Sequence, residues 1–290
     1  MIVVDIRKRL ESAEGPFELV VKCQLTPGRI ISFFGKSGVG KTSLLRMLAG
    51  LMNPDEGRIS VNGKLWFHSE KDINIRPQDR RLGFVMQNGG LFPHLTLEEN
   101  IVFAQPYGNK DGKAEQLLED VGLSMLRDEK PHRLSGGQTQ LAVLAQTLAR
   151  KPEVLLLDEP LSALDATMRH QMQTYILKTH NKELLSTILV SHDVREVIKL
   201  ADEVFLIEQG KVINHGSPKD LFFPNLGKDI YQMTGEVIEI APYDQPNALL
   251  VLVGDKLVKV TSTESEVQKL SIGDLIAMSH QAYQPKIFKI

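Results

Sequence analysis

The chain is poor in cysteine, in net charge and in long apolar runs, and each shortage closes off a class of protein. Its 290 residues include a single cysteine, Cys23. No disulfide can therefore form within the chain, which excludes a disulfide-stapled scaffold. Cys23 lies in an apolar run and is expected to be a buried thiol. The formal net charge is −2, too weak a field for a protein that tracks nucleic acid, so no nucleic-acid partner is expected. No stretch reaches the roughly 18 apolar residues of a membrane span, and the N-terminus shows no apolar leader core. The expectation is a cytoplasmic protein that serves a membrane only through a partner. Low-complexity segments and long internal repeats are also missing. What is present is an ordinary globular composition, 42% hydrophobic and 24% charged, with enough apolar residues for a core. The length suits one large domain or two smaller ones.

One stretch organises the rest. Gly35-Lys36-Ser37-Gly38-Val39-Gly40-Lys41-Thr42 fits the phosphate-binding pattern G-x-x-x-x-G-K-[ST]. The apolar run 29–34 before it reads as a buried strand, and the run from Ser43 to Gly50 reads as a helix that ends on its glycine. Strand, glycine-rich turn and helix are the context the motif needs. The glycines let backbone N–H groups face phosphate oxygens, and the helix N-terminus adds partial positive charge. Lys41 is expected to reach the β- and γ-phosphates of a nucleotide, and Thr42 to hold Mg²⁺.

Around this centre the pattern alternates. Ile2–Arg7 and Phe17–Lys22 read as strands forming an antiparallel flank. Phe17 or a neighbour either stacks on an adenine ring or serves as a core or edge aromatic. Residues 58–64 read as a hairpin entry, 76–81 as a polar loop, and Leu82–Met86 as a buried strand ending at Gln87. From 88 to 150 the spacing turns helical, with Thr96 and Glu99 as a capping box. Glu153–Pro160 is a buried strand ending in two carboxylates, a helix follows near 166–182, and Thr187–Asp193 is another strand. A boundary is expected near 225–235, after which short strands suggest a small β-barrel or sandwich over about 233–290, including one at Lys286–Lys289.

Open parallel sheets bind ligands at the carboxyl ends of their strands, where Gln87, Asp158 and His192 all fall. Asp158 is placed to hold Mg²⁺, Glu159 to polarise an attacking water, His192 to contact the γ-phosphate, and Gln87 to sense metal and water. With Leu134-Ser135-Gly136-Gly137-Gln138 and Ser162-Ala163-Leu164-Asp165 in this order, residues 1–230 resemble the nucleotide-binding subunits of ABC transporters. Gly35–Thr42 matches their Walker A loop, Gln87 the Q-loop, 134–138 the signature, 154–160 the Walker B strand with its Glu, Asp165 the D-loop and His192 the switch histidine.

The resemblance implies an α/β phosphate-loop NTPase core with a helical subdomain, an antiparallel β flank and a small C-terminal β-barrel. It implies ATP and Mg²⁺ as ligands. Gly35, Lys36, Ser37, Gly38, Val39, Gly40, Lys41, Thr42 and Ser43 would bind the nucleotide. Thr42, Gln87 and Asp158 would hold the metal, and Glu159, His192 and Gln87 would act in hydrolysis. It further implies a head-to-tail homodimer in which Ser135, Gly136, Gly137, Gln138 and Asp165 cap the partner's ATP. Membrane permease subunits, and through them an extracytoplasmic solute-binding protein, would complete the machine. The segments Arg80–Gln87 and Leu91–Leu95 look like importer ATPases of the molybdate, sulfate and ferric-ion group, and the tail and Trp66 lean towards molybdate. Thr139-Gln140-Leu141 and Gln146 depart from the arginines that many members carry there. A soluble ABC ATPase of DNA repair or translation would show coiled-coil insertions or tandem cassettes. A phosphate-loop kinase would not need the signature, Asp165 or His192.

Overall fold

The computed structural model describes residues 1–12, 15–86, 90–106, 113–162, 164–223, 230–240, 245 and 247–281. Contacts divide the chain into two compact units, Met1–Phe222 and Phe223–Ile290.

The first unit is built on an eleven-stranded sheet. The long strands β1 (Ile2–Ser12) and β2 (Gly15–Leu25) pair antiparallel along their whole length. Burial alternates along both strands, as in a sheet with one face on the core. Strand β3 (Ile30–Phe34) enters the phosphate loop, which helix α1 (Lys41–Ala49) follows. Gly50 closes α1 with a left-handed φ of 78°, as the sequence predicts. Strands β4 (Glu56–Val61), β5 (Lys64–His68) and β6 (Ile73–Asn74) extend the antiparallel flank beyond β1.

Strand β7 (Leu82–Val85) leads into the helical segment: α2 (Leu97–Ala104), α3 (Lys113–Asp120) and α4 (Gly136–Ala149). Leu97, Ile101, Leu118, Leu141 and Leu144 close one core cluster there. Strand β8 (Val154–Asp158), helix α5 (Ala166–Glu183), strand β9 (Ser186–Ser191), helix α6 (Val194–Leu200) and strand β10 (Glu203–Glu208) complete the parallel part. Here β10, β3, β9, β8 and β7 lie side by side in parallel register. β8 and β9 are buried at every position, so both faces are covered and their sequences run apolar instead of alternating.

Strand β11 (Lys211–Gly216) pairs antiparallel with β10 and meets β2 through the single register pair Lys211↔Val20. Helix α7 (Pro218–Phe222) follows. Neither element is foreshadowed by the sequence pattern: β11 has no buried residue, so hydrogen bonding rather than apolar alternation makes it a strand.

The expected polar loop over 76–81 needs correction. It contains a 3-10 turn, Pro77–Asp79, and Arg80 is only 2% exposed. The guanidinium donates from Nη1 to Met47 O and Leu48 O at 2.9 and 2.7 Å, and from Nε to Ile75 O at 2.9 Å. It lies 5.5 Å from the Trp66 ring centroid. Arg80 thus ties down the last turn of α1, giving Leu48 O a donor and Met47 O a second one beside the Gly50 N–H.

The second unit holds β12 (Ile230–Ile240), β13 (Ala248–Val253), β14 (Lys256–Thr261), helix α8 (Glu264–Val267) and β15 (Leu275–Gln281). The strands form an antiparallel sheet in the order β14-β13-β12-β15 around a small core of Val237, Leu249, Val251 and Val267. The strand expected at Lys286–Lys289 lies outside the described residues. No described helix is long and apolar enough to cross a membrane.

Candidate active site

The carboxyl ends of β3, β8 and β9 meet at one place. At the end of β3 the chain turns through Gly35–Gly40. A side chain at Gly35 would bring its Cβ within 2.3 Å of Ile207 O, so only glycine lets the loop press against β10. Gly40 caps α1 at φ 97°, a conformation that other residues adopt at a cost. Val39 packs its side chain on the core beneath the loop.

Lys41, the first residue of α1, is 5% exposed. Its Nζ donates to Gly35 O and Lys36 O, both at 2.7 Å, so the ammonium is held against the loop. Burial pulls its pKa below the ordinary lysine value, while the charges of Glu159 and Asp158 act the other way. Thr42 Oγ1 donates to Asp158 Oδ1 at 3.0 Å. Burial pushes the Asp158 carboxyl above the usual range. The Thr42 hydrogen bond and the positive charges of Arg46 and Lys41 offset part of that rise, and Glu159 adds to it.

Glu159 follows β8 with φ 47°, in the left-handed region that few non-glycine residues occupy. Its N–H donates to Val190 O at 3.0 Å, which fixes the turn to β9. Its carboxylate Oε1 accepts a hydrogen bond from His192 Nδ1 at 3.1 Å. A cavity of about 500 Å³ opens over the loop, within the size range of ligand pockets. Ser37, Gly38, Gly40, Lys41, Thr42, Ser43 and Glu159 wall it from the loop side. Leu10, Ser12 and Phe17 wall it from the β1–β2 hairpin, where Leu10 and Phe17 face each other in register.

The structure therefore brings Lys41, Thr42, Asp158, Glu159 and His192 together. The residues 135–138 do not line this cavity. Ser135 caps α4 in a full capping box: its Oγ accepts the Gln138 N–H at 3.2 Å, and Gln138 Oε1 accepts the Ser135 N–H at 2.9 Å. Ser135 and Gly136 are exposed. A Cβ on Gly137 would lie 3.1 to 3.2 Å from Met168 and Leu164, so the start of α4 rests on the turn that carries Asp165. Asp165 caps α5, its Oδ1 accepting the Met168 N–H at 2.9 Å. Gln87 lies outside the described residues.

Several residues escaped the sequence reading. Leu10 and Ser12 line the pocket but resemble any other strand positions, and only the hairpin register points to them. Arg169, Ser191 and Glu196 surround a second cavity that also touches Glu159 and His192. A charged Arg or Glu on a helix ordinarily reads as surface, which hides both. Gln146 is buried in α4 and donates to Asn100 Oδ1 at 3.3 Å. Asn100 in turn receives the Phe92 N–H at 2.7 Å and donates to the carbonyls of Phe92, Leu95 and Thr96. The departure from arginine at 146 thus serves a neutral buried network that pins the segment after Gln87.

The family model described as ABC transporter matches residues 20–162. The chain is 40% identical over 228 residues to "Probable sulfate/thiosulfate import ATP-binding protein CysA" of Chlorella vulgaris, covering 76% of this chain and 92% of that protein. It is 38% identical over 224 residues to the molybdenum import ATP-binding protein ModC of Paramagnetospirillum magneticum, covering 76% of this chain and 60% of ModC. Against that longer relative the match is less than two thirds of its length. Among solved structures, a dimeric post-hydrolysis state of the ATP-binding cassette MJ0796 with ADP and Pi superposes with a TM-score of 0.65 at 25% identity, covering 75% of this chain and 99% of that one. CbiO1 of Clostridium perfringens, part of the transporter complex cbiONQ, gives a TM-score of 0.65 at 26% identity over 76% of this chain and 90% of its own.

Proposed function

We infer the function from one premise: the chain belongs to the ABC transporter family, as an ATP-binding protein of it. It is an ATPase of that family, and ATP with Mg²⁺ is what such a domain binds. The finer reading is ours. The observation that carries it is the convergence of two hydrogen-bonded pairs, Thr42–Asp158 and Glu159–His192, on the cavity over the phosphate loop.

In this reading the triphosphate lies along Gly35–Ser43, facing the loop's N–H groups and the N-terminus of α1. Lys41 exchanges the loop carbonyls Gly35 O and Lys36 O for phosphate oxygens. Thr42 Oγ1 and Asp158 Oδ1, 3.0 Å apart, are hard oxygen donors of the kind that hold Mg²⁺ directly or through water. The raised Asp158 pKa fits, since a buried carboxylate short of countercharge gains from a cation. Bound Mg²⁺ supplies neutralisation of phosphate charge. Glu159 orients and polarises the attacking water, and His192 holds the Glu159 carboxylate while facing the γ-phosphate. Gln87 takes part in sensing metal and water.

Two copies are proposed to close head to tail around two ATP, with Ser135–Gln138 and Asp165 of each capping the nucleotide of the other. Exposure of Ser135 and Gly136 outside the pocket supports this, as does the dimeric state of the MJ0796 neighbour. Residues 1–230 are proposed as the ATP-binding domain and 233–290 as a small regulatory β domain. The protein is proposed to work at the inner face of the membrane with permease subunits. The solute is a tetrahedral oxyanion, molybdate or sulfate: relatives named for both share this chain's sequence at similar identity.

The test is ATP turnover by the purified chain. Glu159→Gln is expected to bind ATP, lose most turnover and accumulate as an ATP-bound dimer on gel filtration. Normal turnover in that variant removes Glu159 from its role. Titration of the full chain with molybdate, tungstate and sulfate, followed by uptake with its permease, decides the solute.

A further inference from the structure

The second cavity, about 180 Å³, adjoins Glu159 and His192 but is lined by no residue of the phosphate loop. Its wall holds a carboxylate that ATP chemistry does not account for. Glu196, on α6, is 4% exposed, and burying a carboxylate is costly unless it is bonded. Its Oε2 accepts the Ser191 hydroxyl at 2.7 Å. Ser191, the last residue of β9, is 2% exposed. Its Oγ also accepts the Asp193 N–H at 3.0 Å. One hydroxyl thus brackets His192 from both sides, and Glu196 fixes that hydroxyl.

The opposite wall belongs to the turn that carries Asp165. Arg169, on α5, donates from Nη2 to Leu164 O at 3.1 Å, the carbonyl just before Asp165. Its Nε is buried and has no hydrogen-bond partner. Arg169 and Glu196 line the same cavity. Burial pushes the Glu196 carboxyl above the usual range; the Ser191 hydrogen bond and, behind it, the Arg169 charge act the other way. The two walls therefore place an acid tied to the His192 turn opposite a guanidinium tied to the Asp165 turn.

We propose that Ser191, Glu196 and Arg169 are positioning residues that link the turn bearing His192 to the turn bearing Asp165. Through them, His192 and Asp165 take up their working places together. The side chains touch neither nucleotide nor reacting atoms; they act through the two turns. This rests on the ATPase reading above.

The experiment is steady-state ATP turnover of the full chain, with melting temperature and ATP affinity measured on each variant. Ser191→Ala and Arg169→Ala are each expected to lower kcat about tenfold, the scale of a small misplacement of catalytic groups. KM for ATP should stay within about twofold, since loop contacts are untouched. The double variant should lose clearly less than the product of the single losses, because both act through one link. Glu196→Gln keeps an oxygen to accept the Ser191 hydroxyl, so it should retain more turnover than Ser191→Ala. It also supplies the comparison if Arg169→Ala does not fold. Unchanged kcat in a folded Ser191→Ala, or losses that multiply in the double variant, overturns the proposal. So does a kcat loss that merely follows the melting temperature. A wild-type chain without ATP turnover overturns the functional reading itself, which separates the two failures.

Discussion

Lys41 shows how a single side chain is prepared for its ligand. Its ammonium is buried and satisfied by two loop carbonyls, so the positive charge waits at the phosphate site without reaching into solvent. Lys41→Ala removes the charge and leaves Gly35 O and Lys36 O without their donor. ATP affinity, read by titration calorimetry, is expected to fall at least about tenfold, or ~1.4 kcal/mol. Unchanged affinity would contradict the phosphate-site assignment. Cys23 is the opposite case, a group made inert. Burial, helped by the charge of Glu203, pushes its thiol up to about 12. A thiol-reactive dye at about pH 8 should leave the folded chain unlabelled and label one site after unfolding. The sign of its linkage follows. Above roughly pH 8.5 the unfolded thiol ionises while the folded one does not, so stability through this group falls as pH rises.

At the scale of elements, helix ends carry much of the site. Thr96 and Ser135 each form a full capping box, on α2 and α4. Thr96→Ala should cost about 1 kcal/mol, seen as a lower melting temperature with ATP affinity intact. Ser135→Ala should cost a similar amount of stability and in addition lower turnover, because its exposed helix end is proposed to meet the partner's ATP. Arg80 holds the far end of α1 by side-chain donation to its last carbonyls. Arg80→Met strips Leu48 O and Ile75 O of their guanidinium donor and should cost roughly 3 kcal/mol. Arg80→Lys should recover little of it, since an ammonium cannot reproduce the guanidinium fork. Chemical denaturation measures both. The elements near the phosphate loop were legible in the sequence because backbone geometry there demands glycine at fixed spacing. The Thr96–Glu99 capping box was legible because it too is local. Arg80 and Glu196 were not: a charge in a polar string reads as surface until distant carbonyls or a hydroxyl are brought to it. β11 was hidden for a related reason, since partners in space rather than its own side chains make it a strand.

For the whole molecule, the sheet gathers the functional side chains at the carboxyl ends of its interior strands β3, β9 and β8. Asp158 and His192 reach the loop because β8, β9 and β3 run parallel in register. The left-handed turn at Glu159 aims its carboxylate back towards His192. This strain, of order 1–2 kcal/mol, should make Glu159→Gly more stable than Glu159→Ala in thermal melts, although both would be inactive. A melt that ranks them the other way would assign the turn to something other than backbone relief.

The sheet is continuous in its strand order, yet its two halves share one register pair, Lys211↔Val20, and the Val20 N–H bond to Gly210 O at 2.7 Å. A ladder joined at one rung is the natural place for a subglobal opening. In hydrogen exchange, amides of the β1–β2 hairpin would then exchange as a cooperative group, ahead of those in β3, β8 and β9. The pocket is walled from both sides of that rung, by Leu10 and Phe17 on the hairpin and by Lys41 and Thr42 on the core. A nucleotide seated there would add contacts across that single rung, above the apolar core the two halves share, and slow exchange across the hairpin.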